Sequence, residues 1–254
     1  MSKAYVNVII PKTGRDNFLD VCLFYLDRAA STVGFGVYVY VIDNTKLSLP
    51  KYNNIKVKTY QLTTSKIFNK ALLLNYGLSV MKQDFWFVSI VDVDMIYSKD
   101  FFLRLESIMT KRTYVFSTGV YLSKESTNEM IRSRPEVLSI EGQYPELSGP
   151  SQVTMHNNVL KLFKYIYGDK LYCEDFIGWG GEDSDLSYKA RDMYRKGFID
   201  RSELKYVWYH MYHDNARYNA GVNKCLYIDR KSLNREILDN FLIKNREVNY
   251  EQVS

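Results

Sequence analysis

Two aspartates separated by one residue, Asp92 and Asp94, follow the most apolar run of the chain, Phe85-Trp86-Phe87-Val88-Ser89-Ile90-Val91. In an extended chain, residues two apart point to the same side, so carboxylates at this spacing converge at a strand exit. Like charges placed that way repel. A divalent cation relieves the repulsion, and the same ion can hold a diphosphate and neutralise charge on a departing group. An ordinary acidic turn closing a strand is the other reading of the same tripeptide.

A second acidic cluster follows glycines and a tryptophan, in Gly178-Trp179-Gly180-Gly181-Glu182-Asp183-Ser184-Asp185-Leu186. Glycines on both sides of an indole open backbone conformations closed to other residues, so Trp179 can ride on a mobile loop or stand beside a ligand. Acids in a first helical turn are also favoured by the helix dipole, and a capped helix after a glycine turn accounts for Glu182, Asp183 and Asp185. It leaves the Gly-Trp-Gly-Gly run unexplained. A carboxylate held beside an attacking hydroxyl can take its proton, and Asp183 is assigned that role.

Of three histidines, two form His210-Met211-Tyr212-His213 after the apolar Tyr206-Val207-Trp208-Tyr209. Imidazole is a common ligand of transition metals, and a pair of strand carboxylates needs such partners to hold Mn²⁺ tightly. A three-residue step brings both rings to one ion on a helical turn, whereas a fully extended chain separates them. One ligand plus one hydrogen-bonded packing histidine is the alternative. His156 stands in a polar context and reads as a surface residue.

These groups need a scaffold that delivers them to one place. Residues 5–10 alternate and end at Pro11, reading as a buried strand before the loop Lys12-Thr13-Gly14-Arg15. Phe18, Val21, Cys22, Tyr25 and Leu26 recur at helical spacing, and Gly36–Ile42 reads as a second strand closed by Asp43 and Asn44. A short strand over 55–60, a helix over 68–78 and the apolar run 85–91 follow. The last has the continuous apolar character of a strand covered on both faces. Strand and helix alternate, which predicts an α/β three-layer sandwich, Rossmann-like, around a mostly parallel sheet whose ligands bind beyond the strands' carboxyl ends. The polar segment 123–172 reads as an insertion on the acceptor side, and the tail 231–250 as a charged closing helix.

The chain of 254 residues reads as a single domain. No run approaches the roughly 18 consecutive apolar residues of a membrane span. The start enters a strand pattern without the features of a signal peptide, so the expectation is a cytoplasmic protein. Cys22, Cys173 and Cys225 match no zinc or redox spacing and read as reduced and structural. A net charge of +5 is too small to argue for nucleic acid. It suits an anionic small substrate or an anionic membrane surface equally, which leaves peripheral membrane association open.

With these pieces in order the chain resembles the β-1,4-galactosyltransferase family, and more broadly inverting glycosyltransferases of the GT-A fold. Phe68-Asn69-Lys70-Ala71-Leu72-Leu73-Leu74-Asn75-Tyr76-Gly77-Leu78 is similar to the family's Phe-Asn-Arg-Ala segment. Val91-Asp92-Val93-Asp94 is similar to its Asp-Val-Asp strand end, and Gly178 to Asp185 to its Gly-Trp-Gly-Gly-Glu-Asp-Asp-Asp signature. The likeness covers mainly residues 5–45, 66–122 and 176–219.

The resemblance implies a UDP-sugar donor, a glycan or glycolipid acceptor, and Mn²⁺ or another divalent cation held by Asp94, His213 and His210. It implies a donor site of Pro11, Arg15, Asp43, Phe68, Lys70, Asp92, Val93 and Trp179, with Asp43 toward uracil. The acceptor would meet Trp179, Gly181, Glu182 and Asp183, with Asp183 as base. Lys70 stands where the family has arginine, keeping the charge and losing the fork, and Thr13 replaces another family arginine. The histidine pair replaces the family's Met-x-x-His, with Asn219 following. The family's animal members carry an anchor, a stem and disulfides, so a bacterial or viral enzyme is the expectation here. A nucleotidyltransferase or other nucleotide-sugar enzyme built on the same sheet, or a catalytically silent sugar-binding module, are the competing readings.

Overall fold

The computed structural model describes residues 5–43, 48–62, 68–136, 143–147, 152–176 and 181–213. The chain opens with β1 (Tyr5–Lys12), α1 (Asp16–Ala30), β2 (Gly36–Asp43), β3 (Ile55–Gln61), α2 (Lys70–Val80) and β4 (Phe87–Ile90). This is the strand-helix alternation the apolar spacing predicts. Next come β5 (Met95–Tyr97), α3 (Phe101–Ile108), β6 (Thr113–Tyr121), α4 (Lys124–Ser133), β7 (Gln143–Leu147) and β8 (Val153–His156). The described chain closes with α5 (Asn157–Tyr167), α6 (Glu182–Arg195) and β9 (Asp200–His210).

The strands form one sheet in the order β3-β2-β1-β4-β8-β6-β9-β5, with β7 paired to β6. One half, β3 to β4, is parallel throughout. In the other half β8 runs antiparallel to β4 and β6, β9 is parallel to β6, and β5 is antiparallel to β9. Residues 153–156, inside the segment read as an insertion, therefore sit in the middle of the sheet. A four-residue strand carries too little alternation to announce itself.

Alternating side chains divide the core into two layers. Val6, Val8, Ile10, Val37, Val39 and Val41 pack with Leu19, Leu23 and Leu26 of α1 and Phe101, Phe102 and Leu105 of α3. Ile9, Tyr40, Ile42, Val88 and Ile90 pack on the opposite face with α2, α5 and α6. Both faces of β4 are buried, as its unbroken apolar sequence demands. The result is a three-layer α/β sandwich. Among the described residues no helix is long and apolar enough to cross a membrane.

Helix α2 approaches the sheet closely because Gly77 has no side chain. A Cβ there would lie 2.6 Å from Ile9 Cγ2 and 3.2 Å from Ile42 Cγ1. Gly77→Val must displace α2 or force two core isoleucines off their rotamers, so a loss of about 3 kcal/mol is expected. The urea midpoint of unfolding reads it directly, and a midpoint equal to wild type would mean that the helix does not sit this close.

Candidate active site

The parallel strands β1, β2 and β4 all end on one edge, and β6 and β9, parallel to each other, end at Tyr121 and His210, which are paired in register. Strand β5 starts beside that pair, because Met95 is paired with His210. The residue before Met95 is Asp94, and its carbonyl accepts a 2.8 Å hydrogen bond from the Met211 amide. The sheet register thus delivers Asp94 to the histidines. Tyr212 N–H donates to Thr127 Oγ1 at 2.7 Å, which pins the chain after β9 and turns His213 inward.

His210 ends a strand and His213 lies beyond it, so the two rings do not share the helical turn that the three-residue spacing suggests. They meet because the chain leaves the extended conformation at Met211. Their ring centroids are 5.1 Å apart, and ligand atoms of Asp94, His210 and His213 all lie within 4.8 Å of one another. Asp94 Oδ1 and His210 Nδ1 are buried and make no hydrogen bond. An oxygen and imidazole nitrogens converging in this way form a donor set that fits Mn²⁺ or a similar divalent ion. Burial lowers the His210 pKa against the pull of Asp94, which favours the unprotonated ring that can ligate a metal. Burial raises the Asp94 pKa, but hydrogen bonding from His213 and the charges of His210 and Arg15 outweigh it and hold the group at about 2.

The two aspartates of the strand exit do not converge. Met95 N–H donates to Asp92 O at 3.2 Å, closing a turn over 92–95 in place of an extended segment. Asp94 goes to the histidines. Asp92 goes to Lys70, whose Nζ lies 2.9 Å from Asp92 Oδ1, 2.8 Å from Asp183 Oδ2 and 3.6 Å from Glu182 Oε1. Val93 between them packs its side chain into the layer formed with α1 and α3.

One ammonium cannot neutralise three carboxylates. Burial raises the pKa of Asp92, Asp183 and Glu182, and the pull of Lys70 does not fully offset it. For Lys70 itself, burial pulls the ammonium down, while Asp183, Asp92 and Glu182 together lift it well above the ordinary lysine value. The cluster keeps surplus negative charge beside the cation site. Glu182 and Asp183 start α6 as expected, after Gly181 at φ 103°, a backbone conformation that side chains disfavour. Trp179 and Asn219 lie outside the described residues, as do Cys225 and the tail expected to be helical.

Helix α2 presents Lys70 from its first turn. Asn69 caps it, accepting from Leu72 N–H at 2.8 Å and donating to the Glu174 carbonyl at 2.7 Å. Asn75 donates to the Tyr172 carbonyl at 2.8 Å and accepts from its amide at 3.0 Å. These two asparagines tie α2 to the segment that leads into α6, which fixes Lys70 against Asp183. Neither asparagine announces this role in the sequence. The available signal was their polarity in an apolar helix, since buried amides must be paired.

At the other end of the site, Pro11 is buried at the end of β1, and Lys12 pairs in register with Asp43. Lys12 Nζ forms a buried ion pair with the Asp43 carboxylate and lies 2.5 Å from Asp16 Oδ1. Lys12 is thus a third residue, after the two asparagines, whose role in the site the sequence does not announce. Arg15, in the left-handed region at φ 58°, bonds Asp94 Oδ2 through Nη1. Phe68 is half-buried against the layer under α2. His156, expected at the surface, is half-buried as the cap of α5, where its Nδ1 accepts from Asn158 N–H at 3.0 Å and burial lowers its pKa to about 4.

No protein-family model matches the sequence, and no curated protein matches it. Solved structures do match. The catalytic domain of Drosophila β1,4-galactosyltransferase 7 in complex with xylobiose is 14% identical, over 92% of this chain and 78% of that one, at a TM-score of 0.54. A mutant of the Drosophila enzyme in complex with manganese, UDP-Gal and xylobiose is 14% identical, over 93% and 84%, at 0.56. Residues 1–349 of S. aureus TarS are 18% identical, over 82% of this chain and 60% of that one, at 0.56. At these identities the likeness is one of fold, and the fold is GT-A.

Proposed function

We propose that the chain is a metal-dependent glycosyltransferase that moves a hexose or N-acetylhexosamine from a UDP-sugar to a hydroxyl of a glycan or glycolipid, with inversion. The observation that carries this reading is the adjacency of two unlike clusters on one sheet edge. Asp94, His210 and His213 gather donor atoms for a cation, and two residues away Asp92 meets Lys70 and Asp183. A nucleotide diphosphate needs the first, and an acceptor hydroxyl needs the second. A GT-A fold shared with an enzyme crystallised with manganese and UDP-Gal supports it.

Mn²⁺ or another divalent cation on Asp94, His210 and His213 would neutralise charge on the departing diphosphate. Asp183 would accept the acceptor's hydroxyl proton on its carboxylate, opposite the leaving group. Lys70 would orient Asp183 on one side and Asp92 on the other, Asp92 facing the donor. Arg15 would pair with phosphate oxygens, and Asp43, oriented by Lys12, would receive a uracil N–H. Pro11, Phe68, Val93 and Trp179 complete the donor side in this reading, and Gly181 and Glu182 the acceptor side. Residues 1–97 would carry most donor contacts and 98–254 most acceptor contacts. A cytoplasmic location goes with the UDP-sugar donor, and the charge of +5 suits docking at an anionic membrane that displays a glycolipid.

The test is a panel of UDP-hexoses and UDP-N-acetylhexosamines, with Mn²⁺ or with EDTA, followed by thermal shift and by release of UDP. A donor that binds the native state raises its melting temperature by mass action. Stabilisation by one UDP-sugar only with Mn²⁺, and UDP as product with inverted anomeric configuration by proton NMR, is the expected result. Pyrophosphate as product would move the chain to nucleotidyl transfer, and full activity in EDTA would remove the cation.

A further inference from the structure

Arg15 sits on the carboxylate oxygen that the proposed cation needs. Its Nη1 donates to Asp94 Oδ2, and its Nη2 lies 3.4 Å from His213 Nδ1. Nε2 of His213 and Nε2 of His210 approach the same Oδ2 at 3.1 and 3.7 Å. The guanidinium thus stands among the atoms that would ligate the ion, and the other carboxylate oxygen, Oδ1, is buried without a hydrogen bond. The backbone that puts it there is unusual, since Gly14 and Arg15 are both left-handed, at φ 61° and 58°. Bulky residues hold that conformation only where the surroundings impose it.

A guanidinium and a divalent ion cannot both occupy Asp94 Oδ2 without strong repulsion, because the carboxylate side chain is only 4% exposed and screening is weak. Arginine stays protonated at any working pH. It must therefore move when a cation arrives. A diphosphate beside the ion offers the displaced fork the geometry it pairs with best. Lys70 is not in this competition, since its Nζ is held 2.9 Å from Asp92.

We propose that Arg15 couples cation to nucleotide: without nucleotide its guanidinium competes with the cation for Asp94, and a nucleotide diphosphate draws it away, so each ligand tightens the other. This rests on the reading of the site as one for a divalent cation and a nucleotide diphosphate. Coupling between two ligands is reciprocal, so one titration reports it.

The experiment counts Mn²⁺ bound to the intact chain by loss of the free-ion EPR signal, with and without UDP, for wild type, Arg15→Gln and Arg15→Lys. Without nucleotide, Arg15→Gln is expected to bind Mn²⁺ roughly tenfold tighter than wild type, within the range of about 5–150-fold typical of couplings between sites. UDP should tighten Mn²⁺ on wild type by a larger factor than on Arg15→Gln, because ligation of the ion by the diphosphate acts in both proteins and withdrawal of the guanidinium acts only in wild type. Arg15→Lys, with the charge and without the fork, should fall between them, and it decides the matter if circular dichroism shows Arg15→Gln to be unfolded. Equal Mn²⁺ affinity for wild type and the folded variants in the absence of UDP overturns the coupling and leaves the metal site standing. No Mn²⁺ bound by any of the three proteins, with or without UDP, overturns the metal site and the coupling with it.

Discussion

Asp183→Asn is expected to cut the transfer rate by about 10²–10⁴-fold, the range for loss of a positioned base, while UDP and Mn²⁺ bind as before. The amide keeps the shape of the carboxylate and an oxygen for Lys70, whose Nζ lies 2.8 Å from Asp183 Oδ2. What it loses is the capacity to hold a proton. Stability separates this from a folding defect. Burial, then repulsion from Asp92, raise the Asp183 pKa against the attraction of Lys70. An acid with a raised folded pKa contributes stability below its unfolded pKa and loses it as pH rises through the folded value. At neutral pH the ionised carboxylate is therefore a cost, and the Asn variant should melt no lower than wild type. The same shift places the acid limb of the rate profile above the ordinary aspartate range, since the base works only when deprotonated. Lys70→Met removes the attraction and should push that limb to higher pH still. Wild-type turnover by the Asp183→Asn protein would end the assignment.

Much of the scaffold was legible because single segments carry it. The run Phe85–Val91 predicts a strand buried on both faces, and β4 is one. Gly36–Ile42 and the periodicity of Phe18 to Leu26 likewise give β2 and α1 with small changes at their ends. What depends on pairing between distant segments was not legible. The place of β8 is set by its pairing with both β4 and β6, where the Ser89 and Thr154 hydroxyls meet at 2.8 Å across two strands. Asp92 and Asp94, two positions apart, would converge on an extended chain, but the turn closed by Met95 N–H sends the two acids to different partners. The histidine pair was read on a helical turn, and it converges instead because β9 ends beside Asp94. In each case the residues were identified from the sequence, and their mutual geometry came from register. Lys12, Asn69 and Asn75 escaped notice because their worth lies in what they hold: Asp43, Glu174 and Tyr172.

Asp94→Asn is the substitution with the largest expected effect on cation binding. It removes the one carboxylate in the cluster of Asp94, His210 and His213 and keeps the side chain's volume. Outer-shell partners of metal ligands are themselves worth about 10–100-fold in affinity, so loss of a charged ligand should weaken Mn²⁺ by at least about a hundredfold. The consequence for stability depends on the ion. At a cation concentration 100 times its dissociation constant, wild type gains about 2.7 kcal/mol that the variant forgoes, which at roughly 2–4 °C per kcal/mol for a chain of this size is a melting shift of several degrees. Without the ion the difference should shrink as pH falls. Asp94 is held at about 2, below the unfolded aspartate range, so its contacts stabilise the wild type above about pH 4 and are lost as pH falls toward 2. Metal-free wild type should therefore exceed the variant at pH 7 and approach it at pH 2–3. Mn²⁺ titrations of both proteins at pH 7, paired with melts in EDTA across that acid range, decide it. Equal Mn²⁺ affinity would show that the carboxylate takes no part in binding, and the three-residue cluster would lose its claim to be the cation site.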